Sequence, residues 1–429
     1  MPPDRFVFAH LADAHVGAWP RDPDVRAALR ASVLRALRVV AERDAQFLLI
    51  SGDLFHTPVP DPAEVAPVAA ALRDLVEAGR RVYAIYGSHD YVAHRTSWLD
   101  VLAETGVFVK VAPEAVRSEG TRWTLPFHVD EPTGARIAGI SGRSHGLDRE
   151  YFRAVDAEAF RAEPGFKIFQ FHAAVEEYLP PNLRAHIRGV RRDDLPAGCD
   201  YYAGGHIHLT YEGEGPGGGA LVNPGAVFGT SRTDLENAAA GRTHQGVVIV
   251  TVDRNVPSVE FVDTAPRDRV RLVDVDVSGQ TATEAHATIA ARIHSADERP
   301  GTLLFPKLTG TLADGSIAAL ALTELSRSEA DSDVTVHWDL SDLELPASAG
   351  GAVSGEAEVE TTEIRRLLTD APPGWWVGDA AEAAVRDLVR ELGMPRGDGE
   401  ARADYLAARI RAARRVLGVP DDDAAPEAT

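Results

Sequence analysis

This sequence is poor in cysteine and has no long apolar run. Its single cysteine, Cys199, cannot form an internal disulfide and cannot build a thiolate metal site. The longest apolar stretches, such as residues 47–50 and 247–250, fall far short of the roughly 20 residues that a membrane-spanning helix needs. The first residues lack a basic region followed by an apolar segment, so we expect no signal peptide and a cytoplasmic location.

Basic residues are also scarce, and lysine most of all. The chain carries 44 basic and 65 acidic residues, a net charge of −21, and its lysines are Lys110, Lys167 and Lys307. This acidity argues against sequence-independent nucleic-acid binding by the general surface, although a cleft that holds divalent cations can still attract phosphate. A GC-rich genome accounts for the arginine-rich composition, and salt adaptation is the alternative.

The remaining composition is that of a globular chain with more than one domain. Hydrophobic residues make up 45% and charged residues 25%, which excludes a wholly disordered, collagenous or coiled-coil protein. A chain of 429 residues is too long for one ordinary core and predicts two or three domains.

The first hundred residues alternate strand and helix patterns. Strands are predicted at Arg5–Leu11, 46–51 and 81–86, with one helix beginning after Asp22 and another after Asp61. This βαβαβ order predicts a parallel sheet covered by helices. Shorter and more closely spaced strands follow, and they predict a second sheet packed on the first, with strands at 123–129, 136–140, 166–171, 200–203, 220–222, 246–252 and 258–262.

The rest of the chain predicts a smaller unit and a helical C-terminus. Residues 267–340 show a β-α-β-α-β pattern, with strands at 270–277, 303–308 and 334–338 and helices from Thr281 and Ser316. Residues 345–358, rich in Ala, Gly, Ser and Glu, predict a linker. The predicted divisions are 1–265, an α+β unit at 266–341, a linker at 342–360, a helical segment at 361–418 and a disordered acidic tail at 419–429.

Aspartate and histidine recur directly after the predicted strands. Because ligand-binding residues gather at the carboxyl ends of strands in open α/β sheets, we expect these residues to converge in one cleft. Two aspartates with four or five neutral imidazoles suit Mn²⁺, Fe²⁺ or Zn²⁺ better than Ca²⁺ or Mg²⁺. The less favoured alternative is that these residues are ordinary capping aspartates and core histidines. It is less favoured because such residues follow five of the predicted strands in order along the chain. The series is Asp13 and His15, Asp53, His89 and Asp90, His172, and His206 and His208.

The remaining histidines lack this placement. A structural or solvated role is therefore predicted for each of them. They are His10, His94, His128, His145, His186, His244, His286, His294 and His337.

Five segments of the series, LADAHVG, SGDLFH, YGSHD, FQFH and GGHIH, resemble the signature segments of calcineurin-like metallophosphoesterases. Within that superfamily, SGDLFHTPVPDP, DDLPAGCDYYAGGHIH and LVNPGAV are most similar to the meiotic-recombination-eleven or SbcD family of DNA-repair nucleases. The resemblance covers residues 5–262 closely, whereas the α+β unit resembles that family's DNA-capping domain mainly in placement. It implies a two-sheet α/β/β/α sandwich, followed by a small α+β capping domain and C-terminal helices.

The resemblance also implies a function and a set of site residues. The implied activity is metal-dependent hydrolysis of DNA phosphodiesters, both exo- and endonucleolytic, in double-strand-break repair, with two divalent ions of which Mn²⁺ is the expected kind. By the same resemblance, metal one is held by Asp13, His15, Asp53 and His208, and metal two by Asp53, Ser88, His172 and His206. The resemblance further implies that His89, oriented by Asp90, stabilises the charge of the phosphate. It also implies that His56 helps to protonate the leaving oxygen.

Ser88 is the one departure from this ligand set. The family has asparagine here, whose carbonyl is a longer and better oxygen ligand than a serine hydroxyl. We therefore expect metal two to be weakly held, completed by water or absent. A benign substitution is the favoured reading, and loss of catalysis is the alternative.

The implied partners are DNA ends, a second copy of the chain, and an SMC-like ABC ATPase whose coiled coil docks on the C-terminal helices, with no membrane partner. The predicted helix at 404–417 has an apolar stripe with arginines largely off it. Packing on its own domain and docking on such a partner both stay open, and a membrane-surface role fits the acidic chain less well. The arginines at 184, 188, 191 and 192 fit a DNA-backbone contact and a solvated face about equally.

Three functions compete at this stage. The first is a Mn²⁺-dependent DNA nuclease that works with an ATPase, the second a metallophosphoesterase for small substrates, and the third a DNA-end-binding scaffold with catalysis weakened by Ser88. The α+β unit and the helical C-terminus favour the first over the second, because a small-molecule phosphatase needs neither.

Overall fold

The computed structural model describes residues 3–90, 96–111, 117–119, 122–142, 148–185, 187, 189–296, 300–330, 333–346, 384, 387–388 and 402–417. The chain divides into two compact units, residues 1–346 and 347–429. Within the described residues, no helix combines the length and the apolar character needed to cross a bilayer.

Eighteen strands and ten α-helices are described. The strands are β1 Arg5–Leu11, β2 Phe47–Ser51, β3 Arg81–Ile85, β4 Val109–Lys110, β5 Arg117–Glu119, β6 Arg122–Thr124, β7 His128–Asp130, β8 Ala135–Ile140, β9 Lys167–Phe171, β10 Tyr201–Ala203, β11 Tyr211–Glu214, β12 Ala220–Asn223, β13 Gly246–Asp253, β14 Val256–Asp263, β15 Val270–Asp276, β16 Thr302–Thr311, β17 Val334–Val336 and β18 Asp339–Glu344. The helices are α1 Pro23–Glu42, α2 Pro62–Glu77, α3 Trp98–Glu104, α4 Asp148–Ala154, α5 Ala157–Ala162, α6 Pro181–Arg184, α7 Arg232–Ala239, α8 Ala282–His294, α9 Leu322–Ala330 and α10 Arg402–Leu417.

Two six-stranded mixed sheets form the centre of the first unit. The first has the order β14-β13-β1-β2-β3-β4. Strands β1 to β4 are parallel to one another, β13 pairs antiparallel with β1, and β14 pairs antiparallel with β13. The second has the order β11-β12-β10-β9-β8-β7, with parallel central strands and an antiparallel strand at each edge. The carboxyl ends of β1, β2 and β3 supply one set of loops to the cleft described below, and those of β9 and β10 supply the other.

The sheets pack face to face through large apolar side chains. Phe8 stacks on Phe47 with ring centroids 5.0 Å apart, and the ring of Tyr201 from the second sheet meets Phe8 edge-on at 5.1 Å. All three are buried, and each such side chain contributes about 1.5–3 kcal/mol when fully removed from water. Helices α1 and α2 cover the outer face of the first sheet, and α4 and α5 cover that of the second. The predicted α/β/β/α sandwich is therefore confirmed.

The segment after residue 265 has a sheet and a core of its own. In its four-stranded parallel sheet, β16 lies between β15 on one side and β17 and β18 on the other. Val275 and Leu308 from the sheet pack with Ile289 of α8 in a separate apolar cluster. The division at residue 265 and the capping role of this unit remain predictions.

Three predicted elements and the start of the predicted linker differ from the structure. The predicted strand at 123–129 is divided into β6 and β7 by Pro126, which has no N–H to donate to a strand ladder. The predicted strand at 334–338 is the shorter β17, and the unpredicted β18 runs from Asp339 into the first residues of the predicted linker at 342–360. The helix expected from Ser316 is a 3₁₀ turn at 317–320 and then α9, separated by Ala321 with φ +50°.

The C-terminal predictions are described only in part. Helix α10 contains the predicted helix at 404–417. The linker beyond Pro346, most of the helical segment at 361–418 and the tail at 419–429 lie outside the described residues.

Candidate metal centre

The loops after β1 and β2 are joined by backbone hydrogen bonds. Asp13 N donates to Gly52 O at 3.1 Å, and His15 N donates to Asp53 O at 2.9 Å. Because these bonds fix one loop against the other, three predicted ligands occupy neighbouring positions before any ion binds. Gly87 fits closely against this pair, since a Cβ there would lie 2.0 Å from Asp53 Oδ1.

Several of the predicted ligands have a strained backbone. Asp13, His15, Asp53 and His206 have φ values of +51°, +44°, +52° and +92°, in the left-handed region that non-glycine residues rarely adopt. Such a conformation costs on the order of 1–3 kcal/mol per residue and persists where the surroundings enforce it, often at functional sites. Four of the ten described non-glycine residues with positive φ are therefore predicted ligands, an observation that is independent of the sequence motifs.

The first group of donor atoms comes from Asp13, His15 and His208. One donor atom from each lies within 4.8 Å of the others. The Nε2 atoms of His15 and His208 are 3.1 Å apart, and each is 3.9 Å from Asp13 Oδ1. Two imidazole nitrogens and a carboxylate oxygen aimed at one point match a site for a divalent first-row transition metal.

The second group comes from Asp53, His172 and His206, again with donor atoms within 4.8 Å of one another. His172 Nε2 lies 3.1 Å from Asp53 Oδ2, and the same oxygen lies 3.7 Å from His15 Nε2 of the first group. The carboxylate of Asp53 therefore faces both groups, as a bridging ligand would. The donor types and their convergence fit two divalent ions, and the individual ligand assignments remain predictions.

Hydrogen bonds fix the ring orientation of two predicted ligands. His172 Nδ1 lies 2.8 Å from Ser51 O, and His208 Nδ1 lies 2.9 Å from Asp234 Oδ2. When Nδ1 carries the proton and donates it to these oxygens, Nε2 is left as the metal-binding atom. Sequence reasoning missed Asp234, because its capping pattern Ser231-x-x-Asp234 predicts a helix start but not the neighbouring histidine.

His89 and His56 lie on the open side of the first group. The His89 ring is exposed, lies 4.8 Å from the His15 ring and stacks on His56 at 5.1 Å. Donor atoms of His15, His56 and His89 also lie within 4.8 Å of one another. An exposed imidazole beside the two groups of donor atoms can contact a bound phosphate, which is the role predicted for His89.

The predicted orientation of His89 by Asp90 is wrong. His89 Nδ1 lies 2.9 Å from the backbone carbonyl of His56. The buried Asp90 carboxylate instead accepts backbone N–H groups from Leu54, Phe55 and Gly87 at 3.0–3.2 Å. Asp90 therefore holds the loop after β2 in place, and the two neighbours in sequence point to different partners.

Ser88 lies at the second group but at its edge. Its hydroxyl donates to Asp53 Oδ2 at 3.3 Å. The hydroxyl is therefore engaged with a predicted ligand and adds no carbonyl oxygen to the group. This arrangement is consistent with the weaker second site expected from the sequence.

The electrostatics divide the histidines into two kinds. Burial lowers the pKa of His206 to about 4 and lowers that of His15 well below its usual value. Burial acts the same way on His172 and His208, but Asp53 raises the pKa of His172 to about 10, and Asp234 raises that of His208 to about 9. These pKa values leave the first two rings neutral near pH 7, whereas the other two would have to release a proton before binding a metal ion.

A pH dependence follows from the two raised values. Because His172 and His208 are protonated below about pH 9 to 10 in the metal-free protein, Mn²⁺ affinity is expected to rise with pH between roughly 6.5 and 8. Calorimetric titration in buffers of different ionisation enthalpy measures the protons released, and we expect at least about one for each ion bound. Binding that is independent of pH and buffer would contradict this expectation.

Other predicted residues have local roles. His10 is buried between Tyr201 OH, Ser51 Oγ and Gly204 O, which is a structural role. Arg191 and Arg192 are paired with Glu177 and Asp193, so a solvated face is favoured over a DNA contact for these two. His94, His145, His186 and Arg188 lie outside the described residues.

Comparison with known proteins places these features in a family context. Residues 6–209 match the model of the calcineurin-like phosphoesterases. Three curated relatives are each named DNA double-strand break repair protein Mre11. The protein from Archaeoglobus fulgidus is 28% identical over 54% of this chain and 52% of the relative. The protein from Methanopyrus kandleri is 25% identical over 62% of this chain and 59% of the relative, and that from Methanococcus maripaludis is 25% identical over 47% of this chain and 51% of the relative. The matched region thus spans little more than half the length of each relative.

Proposed function

We propose that this chain, which resembles the calcineurin-like metallophosphoesterases and archaeal Mre11 proteins, is a metal-dependent nuclease that hydrolyses phosphodiester bonds at DNA ends. The observation that carries the proposal is the pair of donor groups around Asp53, with the exposed His89 beside them. Asp13, His15 and His208 would hold one ion, His172 and His206 the other, and Asp53 both. Two bound ions, Mn²⁺ in our proposal, would supply charge neutralisation for the phosphate and a water of lowered pKa.

The protein residues have separable tasks in this proposal. The carboxylates and imidazoles of the two groups would hold the ions in place, and this would fix the position of a phosphate bound to them and remove much of the entropic cost of the reaction. The exposed His89 ring would contact the phosphate and stabilise its developing charge, and His56, stacked on it, would donate a proton to the leaving oxygen. Asp90 would act only through the loop that carries these residues.

DNA as the substrate is supported by the relatives and by the chain beyond the sandwich. The relatives are named as DNA double-strand break repair proteins. The unit with its own sheet after residue 265 and the C-terminal helix α10 have no evident use in a small-molecule phosphatase. We propose that residues 266–341 act as the DNA-capping domain.

A cleavage assay with matched substrates tests this function. We expect Mn²⁺-dependent degradation of end-labelled linear duplex DNA that is abolished by chelator and is much slower on a covalently closed circle. Hydrolysis of bis(p-nitrophenyl) phosphate without DNA cleavage would favour the small-substrate enzyme instead. Binding to DNA ends without hydrolysis of either substrate would favour the scaffold.

Ser88 gives a specific reason to keep the scaffold as the second candidate. If its short hydroxyl limits the second site, Ser88→Asn should lower the Mn²⁺ concentration for half-maximal cleavage, because a carboxamide oxygen reaches further than a hydroxyl. The measurement is a Mn²⁺ titration of cleavage rate, with Ser97→Asn, a helix-capping serine away from the donor groups, as the control. An unchanged titration would show that Ser88 does not limit the second site.

The C-terminal segment is proposed to bind a partner. We propose that residues 361–418 dock on the coiled coil of an SMC-like ABC ATPase and that the nuclease acts as a homodimer. Residues 1–346 form a compact unit by themselves, so truncation after Leu345 should leave a folded, metal-binding phosphodiesterase that no longer co-purifies with the ATPase of its own genome. Thermal melting checks the fold, and aggregation of the truncated chain would assign these helices to its core.

A further inference from the structure

The carboxylate of Asp234 is shared between a predicted metal ligand and the start of a helix. Its Oδ2 atom lies 2.9 Å from His208 Nδ1 and accepts N–H groups of Thr230 and Ser231 at 2.8 and 3.2 Å. The side chain is 13% exposed. Because the N-terminus of α7 fixes this oxygen, the oxygen fixes the His208 ring in turn.

The two imidazoles of the first donor group differ in their support. His208 Nδ1 faces the carboxylate of Asp234, whereas His15 Nδ1 lies 3.5 Å from the ring nitrogen of His56. A carboxylate on the far nitrogen of a ligand histidine fixes its tautomer and raises its basicity. Within the first group, the orientation of His208 therefore depends on where α7 lies.

Helix α7 is attached to the α+β unit through Arg232. The guanidinium donates to Phe305 O of β16, to Asp274 Oδ1 of β15 at 2.6 Å and to Glu236 Oε1 at 2.8 Å. The Arg232 side chain is only 9% exposed. Asp234 is two residues away on the same helix, so the contact with His208 and the contact with the α+β unit belong to one short segment.

The loop that carries His15 reaches the same place. Trp19 Nε1 donates to Gly229 O at 3.0 Å, just before α7, and the Trp19 ring lies 5.7 Å from that of Phe305. Trp19 is buried and has φ +62°. The loop that carries His15 therefore contacts β16 of the α+β unit through Trp19, and the loop that carries His208 is linked to β16 through α7.

We propose that Asp234 is the positioning residue for His208 and that Arg232, by fixing α7 to β15 and β16, makes the α+β unit a structural support of the first metal site. This inference rests on the proposed function, because it assumes that His208 binds an ion. It predicts that metal affinity at the first site depends on contacts made outside the donor groups.

The test is calorimetric titration of the full-length chain with Mn²⁺ alone. Asp234→Ala should weaken Mn²⁺ binding at the first site by about 10- to 100-fold, the usual effect of removing such a partner, and Asp234→Asn, which keeps an acceptor oxygen, should recover part of the loss. Ser231→Ala is the matched control, because it removes the cap to Asp234 N at 3.2 Å and leaves the His208 contact intact. Thermal melting establishes that each variant is folded.

The part played by the α+β unit is tested with Arg232→Met. We expect this substitution to weaken Mn²⁺ binding by about two- to tenfold. The control is Arg43→Met, which breaks a bidentate ion pair with Glu260 elsewhere on the sandwich and should leave Mn²⁺ binding unchanged. If Arg232 acts through Asp234, the double variant should bind as Asp234→Ala does.

The outcomes separate this inference from the proposed function. A wild-type chain that binds no Mn²⁺ would overturn the metal centre and with it the proposed nuclease. A wild-type chain that binds Mn²⁺ with the same affinity as Asp234→Ala would overturn the role of Asp234 alone. Equal losses in Asp234→Ala and Ser231→Ala would assign the effect to helix capping and overturn the positioning role. Unchanged binding in Arg232→Met would overturn the support from the α+β unit.

Discussion

Replacement of Asp53 by alanine is expected to abolish DNA hydrolysis and to remove Mn²⁺ binding at both sites together. Asp53 Oδ2 lies 3.1 Å from His172 Nε2 and 3.7 Å from His15 Nε2, so one carboxylate faces both donor groups. In the predicted ligand set, the second ion would lose its one carboxylate and the first ion would keep only that of Asp13, so the two-ion arrangement cannot form. Calorimetry with Mn²⁺ and a cleavage assay on linear DNA measure the two effects.

Two variants make the Asp53 result specific. In the wild-type chain the backbone N–H of His89 donates to Asp53 Oδ1 at 2.8 Å. Asp53→Asn keeps the shape of the side chain and an oxygen that can accept this hydrogen bond, but it should still lose most ion binding. Asp263→Ala breaks another aspartate–histidine pair of the sandwich, with His244 at 3.3 Å, and should bind Mn²⁺ as the wild type does. Full cleavage by Asp53→Ala would refute the bridging role.

His89→Ser is expected to bind Mn²⁺ normally and to cleave DNA more slowly by about 10²-fold or more, the scale of a general acid–base contribution. The His89 ring is exposed and its Nδ1 is held by the His56 carbonyl at 2.9 Å, which leaves Nε2 free to face a phosphate. The substitution leaves the backbone N–H to Asp53 in place. The loss should therefore appear in kcat, with little change in the Mn²⁺ titration.

The control for His89 is another histidine held by a carbonyl. His286 Nδ1 lies 2.8 Å from Leu320 O in the α+β unit, and His286→Ser should leave cleavage unchanged. His89 also lies in a donor group with His15 and His56. Loss of one bound ion in His89→Ser would therefore place His89 among the metal ligands and contradict the assigned role.

The aspartate and histidine series could be found in the sequence because each of its members follows a predicted strand, whereas Ser88 and His56 were assigned only by the family resemblance. Asp13, Asp53 and His172 directly follow strands whose apolar residues are continuous in the chain, and a parallel sheet brings the carboxyl ends of such strands together. Local sequence patterns also predicted the bounds of β1 and the starts of the first two helices. Strong local patterns thus predicted two packed sheets and the place where the candidate ligands meet.

Contacts between residues far apart in sequence were decided only by the tertiary structure. Asp234 lies 26 residues from His208 and Arg232 lies 73 from Phe305, and nothing in their local sequence names these partners. Asp90 is adjacent to His89, yet its carboxylate binds backbone N–H groups near residue 54 because those groups are buried and need an acceptor. In the sequence by itself, local periodicity and strand ends predicted two packed sheets and the series of candidate ligands, and the family resemblance implied the sandwich and the assignment of each ligand. The orientation of those ligands depends on hydrogen bonds that exist only once distant segments are packed together.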